Sequence, residues 1–152
     1  MKKIFILVSI FIFTGCNEKQ KHAHGDIYES HMAVNISEAD AVFDTKTLTI
    51  IYKPRSCEEV PYNHNALSPE ELAIECQALD EYLQEHDNTI PDATCSDTYD
   101  LREDKYTLVD SDKPNGCFNF SKSFNAIIYY PNGFVVQFQP EYGLFQGEFE
   151  YK

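Results

Sequence analysis

Apolar side chains follow three rhythms along the chain, and each predicts a different element. Ile4 to Phe13 is continuously apolar except at Ser9. From residue 27 the runs become short and strand-like. Segments 27–37 and 46–54 are rich in β-branched and aromatic residues, with Thr47, Thr49, Ile50, Ile51 and Tyr52 in the second. Pro54 ends that strand because it offers no ladder donor. A helical rhythm follows: Leu72, Cys76, Leu79 and Leu83 recur on one face of a 3.6-residue repeat. Ser68 supplies an N-cap, Pro69 the first helical position and Glu71 the third, a capping box that opens a helix over 68–86. Residues 87–104 read as a polar acidic loop, and strand-like runs return at 105–109 and 117–120.

The C-terminal part is the most regular. Strands are predicted at 124–130 and 134–139, joined by Pro131-Asn132-Gly133, since Asn-Gly between apolar runs is a strong hairpin signal. Phe134, Val136 and Phe138 share one face. A third strand, 143–151, sets Phe145, Gly147, Phe149 and Tyr151 against Leu144, Gln146, Glu148 and Glu150. Segment 118–152 holds eleven of the chain's aromatic residues. The expected fold class is α+β: an antiparallel sheet with a C-terminal meander, covered by one main amphipathic helix and held by two disulfides.

The first apolar run has a separate meaning. Lys2 and Lys3 precede it, and ten residues of helix rise about 15 Å, half the hydrocarbon thickness. It is therefore a signal segment rather than a membrane span. The run ends in Phe13-Thr14-Gly15-Cys16, which resembles the lipobox of bacterial lipoproteins, with Phe13 where Leu is usual. The resemblance covers residues 1–16 and implies cleavage before Cys16 and diacylation of that cysteine. Two or three acyl chains anchor stably where one does not. Asn17 follows the cysteine, not the Asp of the inner-membrane retention signal, so the resemblance implies an outer-membrane destination in a Gram-negative host. The organisation expected is a signal peptide over 1–15, Cys16 and a flexible tether to 26, and one domain over 27–152.

Lipid on Cys16 leaves Cys57, Cys76, Cys95 and Cys117, an even number for an oxidising compartment. Three pairings are possible; sequential pairing is preferred because it closes short loops. The zinc alternative is weak, because no pair has C-x-x-C spacing. Charge adds a second constraint. Without Lys2 and Lys3 the chain carries ten basic and twenty-five acidic residues, a net of −15. Fourteen of the acids and one base, Arg102, fall between Ser56 and Asp104. Nucleic acid and anionic headgroups would be repelled, and a basic protein would be attracted.

Catalytic patterns are weak throughout. No nucleophile elbow, zinc-protease helix or phosphate-binding glycine loop occurs. Asp110, Asp112, Asn115 and Gly116 have the composition of a calcium loop, but the spacing is one residue too long and the distal Glu is missing, so a polar turn is expected. Asp97, Asp100, Glu103 and Asp104 read as a solvated acidic loop rather than an acid–base pair. His22 and His24 lie in the expected tether without a further fixed ligand. His64 reads as a loop residue, and His31 and His86 have no evident partner. Neither enzyme, metal site nor cofactor is expected. The expected role is that of a lipid-anchored binding module for a basic protein, with Glu70, Glu71, Asp80, Glu81, Tyr129, Tyr130 and Tyr142 as candidate contacts. Envelope-anchored immunity proteins and hydrolase inhibitors are similar in size, lipidation and disulfide content. The alternatives are an accessory subunit of an outer-membrane complex and a phage-derived exclusion lipoprotein.

Overall fold

The computed structural model describes residues 20–59, 67–102 and 106–152. Cys16, His64, Glu103 and Asp104 lie outside the described residues. Eight strands are present: β1 (Lys21–Glu29), β2 (Val34–Phe43), β3 (Thr47–Pro54), β4 (Cys95–Asp100), β5 (Tyr106–Ser111), β6 (Ser123–Tyr130), β7 (Gly133–Phe138) and β8 (Phe145–Tyr151). A helix, α1 (Pro69–Glu85), lies between β3 and β4. Each strand pairs antiparallel with the next, and β8 pairs back onto β1, so the sheet closes. The expectation of a helix-covered α+β sheet is therefore corrected to a closed eight-stranded antiparallel barrel, with α1 packed at one end. Closure removes every sheet edge, so the sheet needs no helix over one face.

Two glycines make the closing seam possible. Gly25 of β1 lies opposite Phe149, and Gly133 of β7 lies opposite Glu150, on either side of β8. A Cβ at Gly25 would sit 1.8 Å from the Glu148 carbonyl oxygen; one at Gly133 would sit 2.0 Å from that of Phe149. Only hydrogen fits at either position.

The interior is filled by side chains in a large-to-small arrangement. Ala23, Gly25, Ala39 and Ala41 line β1 and β2, leaving room for Tyr52, Tyr99, Phe124, Phe134 and Phe149 from the other strands. Phe134 and Phe149 stack with centroids 4.8 Å apart, and Phe120 on Phe145 at 4.0 Å. Outward positions carry His24, Asp26, Glu38, Asp40, Lys53, Glu148 and Glu150. An apolar inside and charged outside is the reverse of a membrane-spanning barrel. No helix among the described residues is long and apolar enough to cross a membrane.

Several expected elements shift. β1 begins at Lys21, so six residues read as tether, His22 and His24 among them, are strand. β2 runs through Glu38–Phe43 because its inward positions are alanines, which carry little strand signal. β4 lies inside the expected acidic loop, its inward positions being Cys95, Asp97 and Tyr99. Residues 117–120 form no strand; Phe118 and Phe120 turn inward and plug the barrel.

The two ends differ. At the hairpin end the chain enters at Lys21 and turns tightly at 44–46 and 131–132. At the capped end lie the long connections: 30–33, the α1 segment, 112–122 and 139–144. Buried Asn88 ties three of these together. Its Nδ2 donates to the Tyr142 carbonyl (2.7 Å) and its Oδ1 accepts from the Phe120 amide (3.0 Å).

Candidate functional site

α1 forms for local reasons. The Ser68 hydroxyl accepts from the Glu71 amide (3.2 Å), and the Glu71 carboxylate accepts from the Ser68 amide (2.7 Å), so the expected capping box is present. Leu79 and Leu83 are buried in the capped end. Tyr82 stacks on His31 at 5.5 Å, and its hydroxyl accepts from the Leu144 amide (3.3 Å). His86 Nδ1 lies 2.9 Å from the Tyr82 carbonyl oxygen, so both histidines have partners the sequence did not disclose. A disulfide from Cys57 to Cys76 holds the helix to the segment after β3. The second bridge, Cys95 to Cys117, holds the 112–122 connection to β4.

The remaining face of α1 is solvent-exposed and acidic. Glu70, Glu71, Asp80, Glu81 and Glu85 are exposed, and the helix contains no basic residue. Beside it a groove of about 420 Å³ is lined by Glu59, Asp80 and Asp92, with Ile90, Pro91 and Cys57 as its apolar part. Arg55 also lines the groove, but its guanidinium reaches toward Asp26 (3.7 Å) and Glu38 (3.8 Å) on the barrel wall. Two further lysines are engaged away from α1, while Lys113 and Lys122 lie on the 112–122 connection at the capped end. Lys53 and Lys152 both bind Asp40, at 2.9 and 3.0 Å, and His24 bridges Asp40 and Glu38. The hydrogen bond from His24, followed by that from Lys53, holds the Asp40 carboxyl far below the usual range. These exposed pairs each stabilise by at most about 1 kcal/mol, and among the described residues none reaches an α1 carboxylate.

Asp97 and Glu29 are the two fully buried carboxylates among the described residues; Glu29 accepts from the His31 and Met32 amides of its own turn, whereas Asp97 joins distant segments. The sequence reading placed it in a solvated loop, whereas the structure buries it completely. It accepts from Ser111 Oγ and Ser121 Oγ (both 2.6 Å) and from the Cys117 amide (3.0 Å to the nearer oxygen). Ser121 extends the network: its Oγ accepts from the Phe118 amide (2.9 Å), and its carbonyl accepts from the Tyr99 hydroxyl (2.5 Å). Tyr52 lies 3.2 Å beyond. Burial raises the Asp97 pKa against the opposing pull of these donors. A carboxylate so enclosed has no room for a substrate or metal, and its role is to pin the 112–122 connection. Asp112, from the expected polar turn after β5, accepts from the Ser96 amide of β4 (2.8 Å).

The candidate contacts divide between the two ends. Glu70, Glu71, Asp80 and Glu81 share the exposed side of α1 at the capped end. Tyr142 is at that end too, half-buried under Lys122 with 5.4 Å from ammonium to ring centroid. Tyr129 and Tyr130 lie at the hairpin end, on the last turn of β6. Glu59 and Asp92 were missed as groove residues, because nothing local joins residues 59, 80 and 92.

Fold and surface define a class: a small disulfide-stapled antiparallel barrel with a filled interior and one acidic end. Compared with protein-family models, curated proteins and solved structures, the chain matches none.

Proposed function

We propose that this chain is a bacterial envelope lipoprotein, acylated at Cys16, that binds a basic protein through α1 and the groove beside it. The observation that carries the reading is the pairing of an acidic helix that contains no basic residue with a concave acidic groove at the same end of the barrel. A lysine or arginine from a partner would enter between Asp80 and Asp92 while the helix face attracts the surrounding basic surface. The filled barrel favours recognition on the outside over storage of a small ligand within. Two disulfides fit an exported domain. The partner class is a cationic envelope or secreted protein, such as a hydrolase to be inhibited or a toxin to be neutralised, bound without cofactor or chemical step.

The test is affinity capture with the full chain from an exporting host, against envelope and secreted fractions at low and high salt. A basic protein held at low salt and released at high salt is the expected result. The Glu70→Lys, Asp80→Lys and Glu81→Lys triple variant should lower its affinity roughly tenfold or more. Glu71 is spared because its carboxylate closes the helix cap. Capture unaffected by the triple variant overturns the surface assignment. Capture of an integral outer-membrane protein instead points to the accessory-subunit role.

A further inference from the structure

We infer that the hairpin end of the barrel is a membrane-docking face, seated on the headgroup interface of the bilayer that anchors the chain; this rests on the lipoprotein reading above. Three observations converge on that end. The first is position. β1 starts at Lys21, five residues after Cys16, and five residues span at most about 17 Å, so the hairpin end is the one held against the lipid.

The second is the distribution of exposed apolar groups. Ile128, Tyr129 and Tyr130 end β6 and are 38%, 60% and 52% exposed; Ile128 and Tyr130 lie on its outer face, and Tyr129, opposite inward-facing Phe134, lies at the barrel mouth. Among the described residues the other exposed large apolar groups, Ile74, Val109 and Leu144, are scattered elsewhere. Tyr129 meets Phe43 at 6.3 Å, which extends the patch into the barrel mouth. Tyrosine suits an interface where one end of the ring is apolar and the other wet.

The third is charge. Among the described residues this end carries Lys21, Lys46, Arg102 and Lys152 against Asp44, Asp100 and Glu150, close to balance. The barrel wall carries Asp26, Glu38, Asp40 and Glu148 against Lys53 and Arg55, and α1 carries six carboxylates and no base. An end-on seat is therefore the orientation that does not press acidic surface onto anionic lipid. Tilted strands of eight residues give a barrel height of about 20 Å, roughly two Debye lengths at physiological salt. Seated this way, the bilayer's field does not reach α1, which faces outward toward a partner.

The chain has no tryptophan, so single substitutions report position directly. Acylated full chain carrying Tyr129→Trp or Ile74→Trp is reconstituted into vesicles containing brominated anionic phospholipid, and Trp emission is read. Docking predicts a several-fold loss of emission for Tyr129→Trp and almost none for Ile74→Trp. Equal quenching at both positions, or none at either while the chain floats with the vesicles, overturns the docking face and leaves the patch for a protein. A chain that carries no lipid by mass and stays off the vesicles overturns the lipoprotein reading, and the docking with it.

Discussion

Asp97 concentrates the stability of the capped end in one side chain. Its three donors are the Ser111 and Ser121 hydroxyls and the Cys117 amide, all of which need a full acceptor. Asp97→Asn presents one acceptor and one donor to the same site, and a loss of about 2 kcal/mol is expected in urea unfolding. The pH dependence has a definite sign. Burial raises the folded pKa above 3.8, so the folded chain holds this proton more tightly than the unfolded one. Ionising Asp97 therefore costs the folded state stability as pH rises from 3.8 through the raised value, a cost of burial that its three donors offset only in part. Asp100 behaves oppositely: the Arg102 side chain holds its carboxyl down to about 2, so its contribution is present above 3.8 and fades as pH falls toward that value. Unfolding midpoints measured from acid to neutral pH should show a smaller decline on the alkaline side for Asp97→Asn than for the parent. Parallel curves would reject the assignment. At the seam, Gly25→Ala or Gly133→Ala must move β8 backbone rather than a flexible tip, and a loss of at least ~3 kcal/mol, or failure to fold, is expected. Calorimetry of both variants beside Gly116→Ala, whose Cβ would meet nothing closer than 3.1 Å but whose φ is +91°, separates seam closure from ordinary turn strain.

The two disulfides support elements of different kinds. Cys57–Cys76 bridges a loop beside the barrel, whereas Cys95 sits in β4 and Cys117 donates its amide to Asp97. Each closes about twenty residues and stabilises by ~3 kcal/mol in the chain-entropy picture. Replacing Cys57 and Cys76 by Ala should loosen α1 alone: hydrogen exchange rises in residues 69–85 while the strands stay protected. The same change at Cys95 and Cys117 should lower protection across the barrel. Equal effects from both pairs would show that α1 and the barrel unfold as one unit. The helix was legible in the sequence because cap, proline and apolar repeat are local signals. The hairpin of β6 and β7 was legible through Asn132-Gly133, and β8 through strict alternation. The second half of β2 and the whole of β4 were not, since the inward residues there are Ala39 and Ala41, and Cys95 and Asp97 beside a single aromatic, Tyr99, chosen by what fills the space opposite.

At the scale of the molecule, the acidic segment read from the sequence divides: the described acids of 59–92 gather at one end, Asp97 is buried, and Asp100 lies at the other end. If α1 receives a basic partner, the triple reversal at Glu70, Asp80 and Glu81 should act mainly on the association rate, and raising salt should slow the parent toward the variant. A change confined to the dissociation rate would place the contact elsewhere. The tyrosines once grouped with those acids belong to the opposite end, and no pattern in the sequence separates the two sets.

Signals that act within a few residues were settled by the sequence alone: the capped helix, the hairpin turn, the outward and inward sides of the last two strands, and the excess of carboxylates. The tertiary structure decided barrel closure, the disulfide partners, the burial of Asp97 and the groove formed by residues 59, 80 and 92. Each depends on atoms brought together from distant positions. Closure turns on two glycines meeting β8 backbone, and a buried aspartate is written with the same letter as an exposed one.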